Sequence, residues 1–232
     1  MTRITPLQRL RGSLAQSAGT IVFGMEDGTV SIFGLIFGVA ATTSNTATVL
    51  IAGASGAVAA AVSMMAGAYL DVETTRDAIN AKRASLQSDA ALSDAAASLP
   101  SRLAAAGLRA QQSAALASAV QNDRDALSGL LLALQGTADV TLNPWVQALW
   151  MLLADFAAAA VPILPFVFLP ITRARVVSGV VTIALLIALG VGRARVASRS
   201  ITRTVIETVS IGIAAALAGV AISVLINRGF GG

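Results

Sequence analysis

The sequence predicts an all-α polytopic membrane protein with five transmembrane helices and a cytoplasmic helical insertion between the second and third. Three observations carry that prediction. Of 232 residues, 56% are hydrophobic and 12% charged, with a mean hydropathy of +0.77, which lies outside the soluble globular range. Apolar runs long enough to cross about 30 Å of hydrocarbon recur along the chain. Between the second and third runs, over residues 71–142, charge returns and Ala, Ser and Leu dominate, as helices with one wet face require.

Residues 1–18 are polar, with Leu7, Leu10 and Leu14 at helical spacing, and read as a short amphipathic segment on the membrane surface. The run that follows is too long for a signal-peptide core and shows no clean cleavage signal, so it is expected to stay. The first span, about 19–42, carries Glu26 and Asp27 inside an otherwise apolar stretch, and Gly24, Gly28, Gly34 and Gly38 as two GxxxG pairs. The second, about 47–70, is free of charge, holds Gly53, Gly56, Ala60, Ser63 and Gly67 as a small-residue face, and ends near Met64 and Met65. These two spans are expected to pack tightly.

In the insertion, Leu86, Leu103, Leu108, Leu116, Leu127, Leu130 and Leu134 supply apolar faces for two or three helices, which Pro100 and Gly107 would separate and Gly136 would end. Its acids read as a solvated surface, and only Glu73 and Asp77 share a helix face at four-residue spacing. The third span, about 144–170, opens on Asn143-Pro144, has Trp145 and Trp150 as interfacial anchors and holds Asp155 in its apolar body. Pro162, Pro165 and Pro170 predict an irregular second half. The fourth span is read at about 176–192 and the fifth at about 203–227, where Glu207 stands four residues from Arg203 as a surface ion pair.

Basic residues set the expected orientation. Thirteen of the sixteen fall in the N-terminal tail, the insertion and the fourth-to-fifth loop, all on one side if five spans follow a cytoplasmic N-terminus. The arginines are spread over loops and not gathered on one face with aromatics, which excludes nucleic acid as a partner. Cysteine and histidine are both absent, so thiolate zinc, Fe–S and disulfide chemistry are excluded, together with the commonest metal ligand and general base. No cofactor is implied.

An ionised carboxylate in lipid costs at least about 2.5 kcal/mol, so intramembrane acids face a protein interior or wet cavity and mark ion paths. Asp27 is the first candidate on that ground. Glu26 points about 100° away from it around the helix, leaving a solvated role and a ligand role in balance. Asp155 takes the functional default of an intramembrane acid, set against a purely structural one. Met64 and Met65 read as packing residues unless they meet a carboxylate, since oxygen with thioether sulfur suits Fe(II) or Mn(II) better than Mg or Ca.

Three stretches, EDGTVS at 26–31, SMMAGAY at 63–69 and VPILPF at 161–166, resemble the motifs of the vacuolar iron transporter family, and span number and insertion position resemble it over essentially the whole chain. The resemblance implies a homodimer of five-span subunits, embedded in a lipid bilayer, moving ferrous iron and often manganese out of the cytosol in exchange for protons. By motif, Asp27 and Met64 would line the path, with the first-span glycine face near the dimer axis. The chain departs from the pattern at Ala68, where relatives are commonly acidic, and in an insertion with Glu73 as its single glutamate. It departs again at Asp155, in a stretch expected to be apolar. Arginine preference and alanine richness favour a prokaryotic plasma membrane over a vacuole. An intramembrane aspartyl protease using Asp27 and Asp155 is the enzymatic rival, without the GxGD motif such enzymes carry, and a noncatalytic scaffold is the other.

Overall fold

A computed structural model describes residues 12–14, 17–85, 89–134 and 143–230, and among these the regular structure is helical throughout. Most of the amphipathic segment expected at residues 1–18, and the stop expected at Gly136, lie outside the described residues. We number the helices α1 (Ala18–Thr42), α2 (Thr46–Ser85), α3 (Asp89–Ala105), α4 (Ala110–Val120), α5 (Arg124–Leu134), α6 (Pro144–Phe168), α7 (Ile171–Val196) and α8 (Ile201–Phe230). Five of them, α1, α2, α6, α7 and α8, are long and apolar enough to span a bilayer, so the chain is an integral membrane protein. Contacts divide it into two compact units, residues 1–69 with 143–232, and residues 70–142.

The spanning unit is built around α1. Its 25 residues, about 37 Å of helix, bury Gly24, Gly28, Ile32, Ile36 and Ala40 on faces taken by other helices of the same chain. Where Gly24 and Gly28 lack side chains, α6 comes in: a Cβ on Gly24 would lie 2.6 Å from Met151 Sδ, and one on Gly28 would strike the Asp155 backbone carbonyl. Gly34 and Gly38 admit α8 in the same way, through the carbonyls of Ala215 and Gly219. The first-span glycine faces, expected to pack a second subunit, are therefore filled within the subunit. A contact this close needs hydrogen in place of a side chain, and a helix of the same chain takes the opening first.

On α2 the buried stripe is Val49, Gly53, Ala57 and Ala61, four residues apart, and Gly53 and Gly56 meet Ile36 and Leu35 of α1. The first two spans touch at that end, but the tight packing expected along them is not found: α1 packs chiefly on α6, α8 and α7, and Gly67 has nothing within 4 Å of where its Cβ would stand. Nor does α2 stop at the predicted span end, continuing as one 40-residue helix to Ser85. No proline or glycine follows Gly67 to break it.

α6 also differs from its expected irregular second half, running as helix from Pro144 through Pro162 and Pro165 to Phe168. Asn143 Oδ1 accepts the Trp145 N–H at 3.0 Å to start it, and Pro144 sits where a missing N–H costs nothing. Each interior proline removes one helical bond. Ser178 of α7 donates to the Pro162 carbonyl at 2.7 Å, tying the two helices together beside the prolines. Arg175 of α7 donates to the Ala40 and Thr43 carbonyls, capping the negative end of α1 with a cation.

In the second unit α3, α4 and α5 bury Leu99, Leu103, Leu127, Leu131 and Leu132 together. Pro100 lies inside α3 and does not divide it. The break comes at Gly107, whose φ of +97° closes the helix with Leu108 N–H on the Leu103 carbonyl at 3.1 Å and Gly107 N–H on that of Ala104 at 3.0 Å.

Candidate functional site

Glu26, Asp27 and Gly28 are consecutive on α1, so a 3.6-residue period turns each to a different neighbour. Glu26 faces α7 and α8. Its carboxylate accepts from Arg193 Nη1 at 2.9 Å and from the Thr208 hydroxyl at 3.0 Å, and the residue is 9% exposed. Glu26 is thus held by protein groups and not by solvent, and it lines the same cleft as Asp27. An arginine near the end of α7 engages it.

Asp27 is half-buried, with Ser31 exposed one turn on along the same face of α1. It lines a cleft of about 400 Å³ together with Gly19, Phe23 and Val30 of α1, Arg193 of α7 and Ile211 of α8. The carboxylate therefore has space beside it, within an apolar helix, and no fixed cationic partner among the described contacts.

Gly28 turns to α6, where Asp155 is 0% exposed and neither carboxyl oxygen has a hydrogen-bond partner. Its Oδ1 stands 2.9 Å from where a Cβ of Gly28, the residue after Asp27, would lie. The structure thus brings together two acids 128 positions apart in sequence. An unpaired carboxylate with no exposure is costly unless it meets a proton or a cation.

Met64 and Met65 are half-buried on α2 and are not among the cleft-lining residues. Sequence reasoning missed four residues that matter here. Arg193 and Thr208 close on Glu26 from separate helices, and no local pattern announces that. Gln147 and Met151 share the buried face of α6 with Asp155, at 3% and 5% exposure, and their spacing of four could have been read directly. No group of three or more Asp or Glu that could hold a metal occurs among the described residues. Any site here must mix carboxylate with thioether, amide, hydroxyl or water oxygen.

Buried acids between apolar spanning helices define a polytopic membrane protein built to handle charge, the construction of an ion carrier. The matching family narrows this. A model of the VIT family matches residues 18–224, and the chain belongs to that family. That makes it a membrane metal-ion transporter, as the resemblance of its first two motifs implied. No curated protein sequence matches the chain.

Proposed function

We propose that this protein exports Fe(II), and Mn(II) alongside it, from the cytosol in exchange for protons, through a path in which Asp27 is the principal carboxylate. The observation that supports it most is Asp27 itself, lining an open cleft in the first half of the apolar α1 with no ion-pair partner among the described residues. A hydrated cation entering the cleft exchanges water for this carboxylate and then for the Met64 thioether, which the family resemblance assigns to the path. Met65 beside it is a packing residue in this reading. Glu26, held by Arg193, shapes the cleft wall and is not a ligand. When the cation leaves, a proton from the far side neutralises Asp27, since ligand and acid functions use the same oxygens.

The active form is a homodimer. Its contact runs along the α1 stripe left uncovered, with Phe23 57% exposed above Asp27 and Ser31 exposed one turn below, because the glycines are already occupied. The distribution of basic residues supports a cytoplasmic N-terminus and insertion, and arginine preference with alanine richness supports a prokaryotic plasma membrane. Pairing of Asp27 with Asp155 is also what an aspartyl protease would need. Such an enzyme must admit a peptide backbone to both acids, and Asp155 is wholly enclosed.

The test is Fe(II) uptake into vesicles containing the purified chain, with internal pH followed in parallel. Asp27→Asn is expected to lower metal uptake and coupled proton flux at least tenfold, and Met64→Leu to lower uptake less. Wild-type rates in Asp27→Asn would remove Asp27 from the path.

A further inference from the structure

The inner face of α6 carries a row of donors that the transport path as drawn leaves idle. Gln147, Met151 and Asp155 recur every four residues and are all buried. The Gln147 Oε1 atom and both Asp155 oxygens lack hydrogen-bond partners. Met151 Sδ and Asp155 Oδ1 both point at α1, at the two places where Gly24 and Gly28 present no side chain. A closed apolar contact would put leucine or phenylalanine at these positions.

We infer that Asp155 and Met151 form a second cation station inside each subunit, behind Asp27 and independent of Met64, taking a divalent transition metal of intermediate softness. Ligands at i and i+4 on a helix can close on one ion, as paired ligands in helical metal motifs do. Carboxylate oxygen with thioether sulfur selects Fe(II), Co(II) or Mn(II) over Mg(II) and Ca(II), which want oxygen alone. Gln147 lies one turn beyond Met151, about 6 Å along the axis, and offers the ion its next oxygen. Asp27 lines the cleft and Asp155 sits against the adjacent Gly28, so an ion released by one carboxylate is near the other. This station rests on the transport reading for its purpose but not for its chemistry.

The experiment therefore reads binding apart from transport. Full-length protein in detergent is titrated anaerobically with Fe(II), and with Co(II) as a spectroscopic probe, and metal-edge X-ray absorption reports sulfur neighbours. Wild type, Asp155→Asn, Met151→Leu and Met64→Leu are compared. Asp155→Asn should lose one bound ion per chain or bind it at least tenfold more weakly. Met151→Leu, which conserves volume and serves if the aspartate variant fails to fold, should lose a sulfur neighbour that Met64→Leu retains. Unchanged ion number and affinity in Asp155→Asn, or a sulfur count in Met151→Leu equal to that of wild type, would overturn the station. Wild type that binds ions and moves none into vesicles would sink the transport reading and leave the station standing. Wild type that transports while Asp155→Asn binds normally would do the reverse.

Discussion

Glu26 and Asp27 are neighbours in the chain with different surroundings, and their energetics differ accordingly. Glu26 is a buried charge satisfied by Arg193 and Thr208, whereas the Arg193 side chain is 37% exposed. Removing each partner is therefore not equivalent. In Glu26→Gln the arginine retains water and the amide can still accept from Thr208, so the loss should be about 1–2 kcal/mol. In Arg193→Met a buried carboxylate loses its cation, at about 3 kcal/mol or more. Thermal unfolding in detergent should show Arg193→Met as the less stable single variant, with the double variant recovering part of the loss; equal shifts would mean that the pair is solvent-screened. Neither partner could be found from sequence, because Glu26 and Arg193 stand 167 positions apart and meet only where α1 and α7 pack.

At the scale of the helix, glycine position separates contact from open space. Gly28 and Gly67 both lie inside long helices and look alike in sequence. Gly28 is pressed against the Asp155 carbonyl, while Gly67 has nothing within 4 Å. Alanine at Gly28 would drive α1 and α6 apart, with an overpacking cost of about 1–3 kcal/mol. Alanine at Gly67 should be neutral or slightly stabilising, since it only raises helix propensity. Comparing melting temperatures of Gly28→Ala and Gly67→Ala checks this, and matched values would contradict the packing described. The same contrast explains the glycine face: small residues at spacing four were legible as a contact surface, but which helix they contact was not, and the answer was α6 and α8 of the same chain. The prolines of α6 follow the same logic. Their local cost was legible, while the Ser178 hydroxyl that bonds the Pro162 carbonyl belongs to another helix.

For the whole molecule, the number of spans and their approximate bounds were legible because a bilayer imposes length and apolarity on each segment separately. Orientation can be tested without a competing background, since the chain contains no cysteine. A single cysteine at Ser118, exposed on α4, should be protected from an impermeant maleimide in intact cells, while one at Ser44, exposed between α1 and α2, should react. The opposite pattern would invert the topology. Composition, the five apolar runs, the acids stranded within them and the family motifs were all set by the sequence itself, because each is a property of a short segment meeting lipid or water. Tertiary structure alone decided that Arg193 holds Glu26, that Asp27 borders a cleft, and that Asp155 lies unpaired against Gly28. Those outcomes depend on which faces of separate helices meet, and periodicity identifies a helix face without naming its partner.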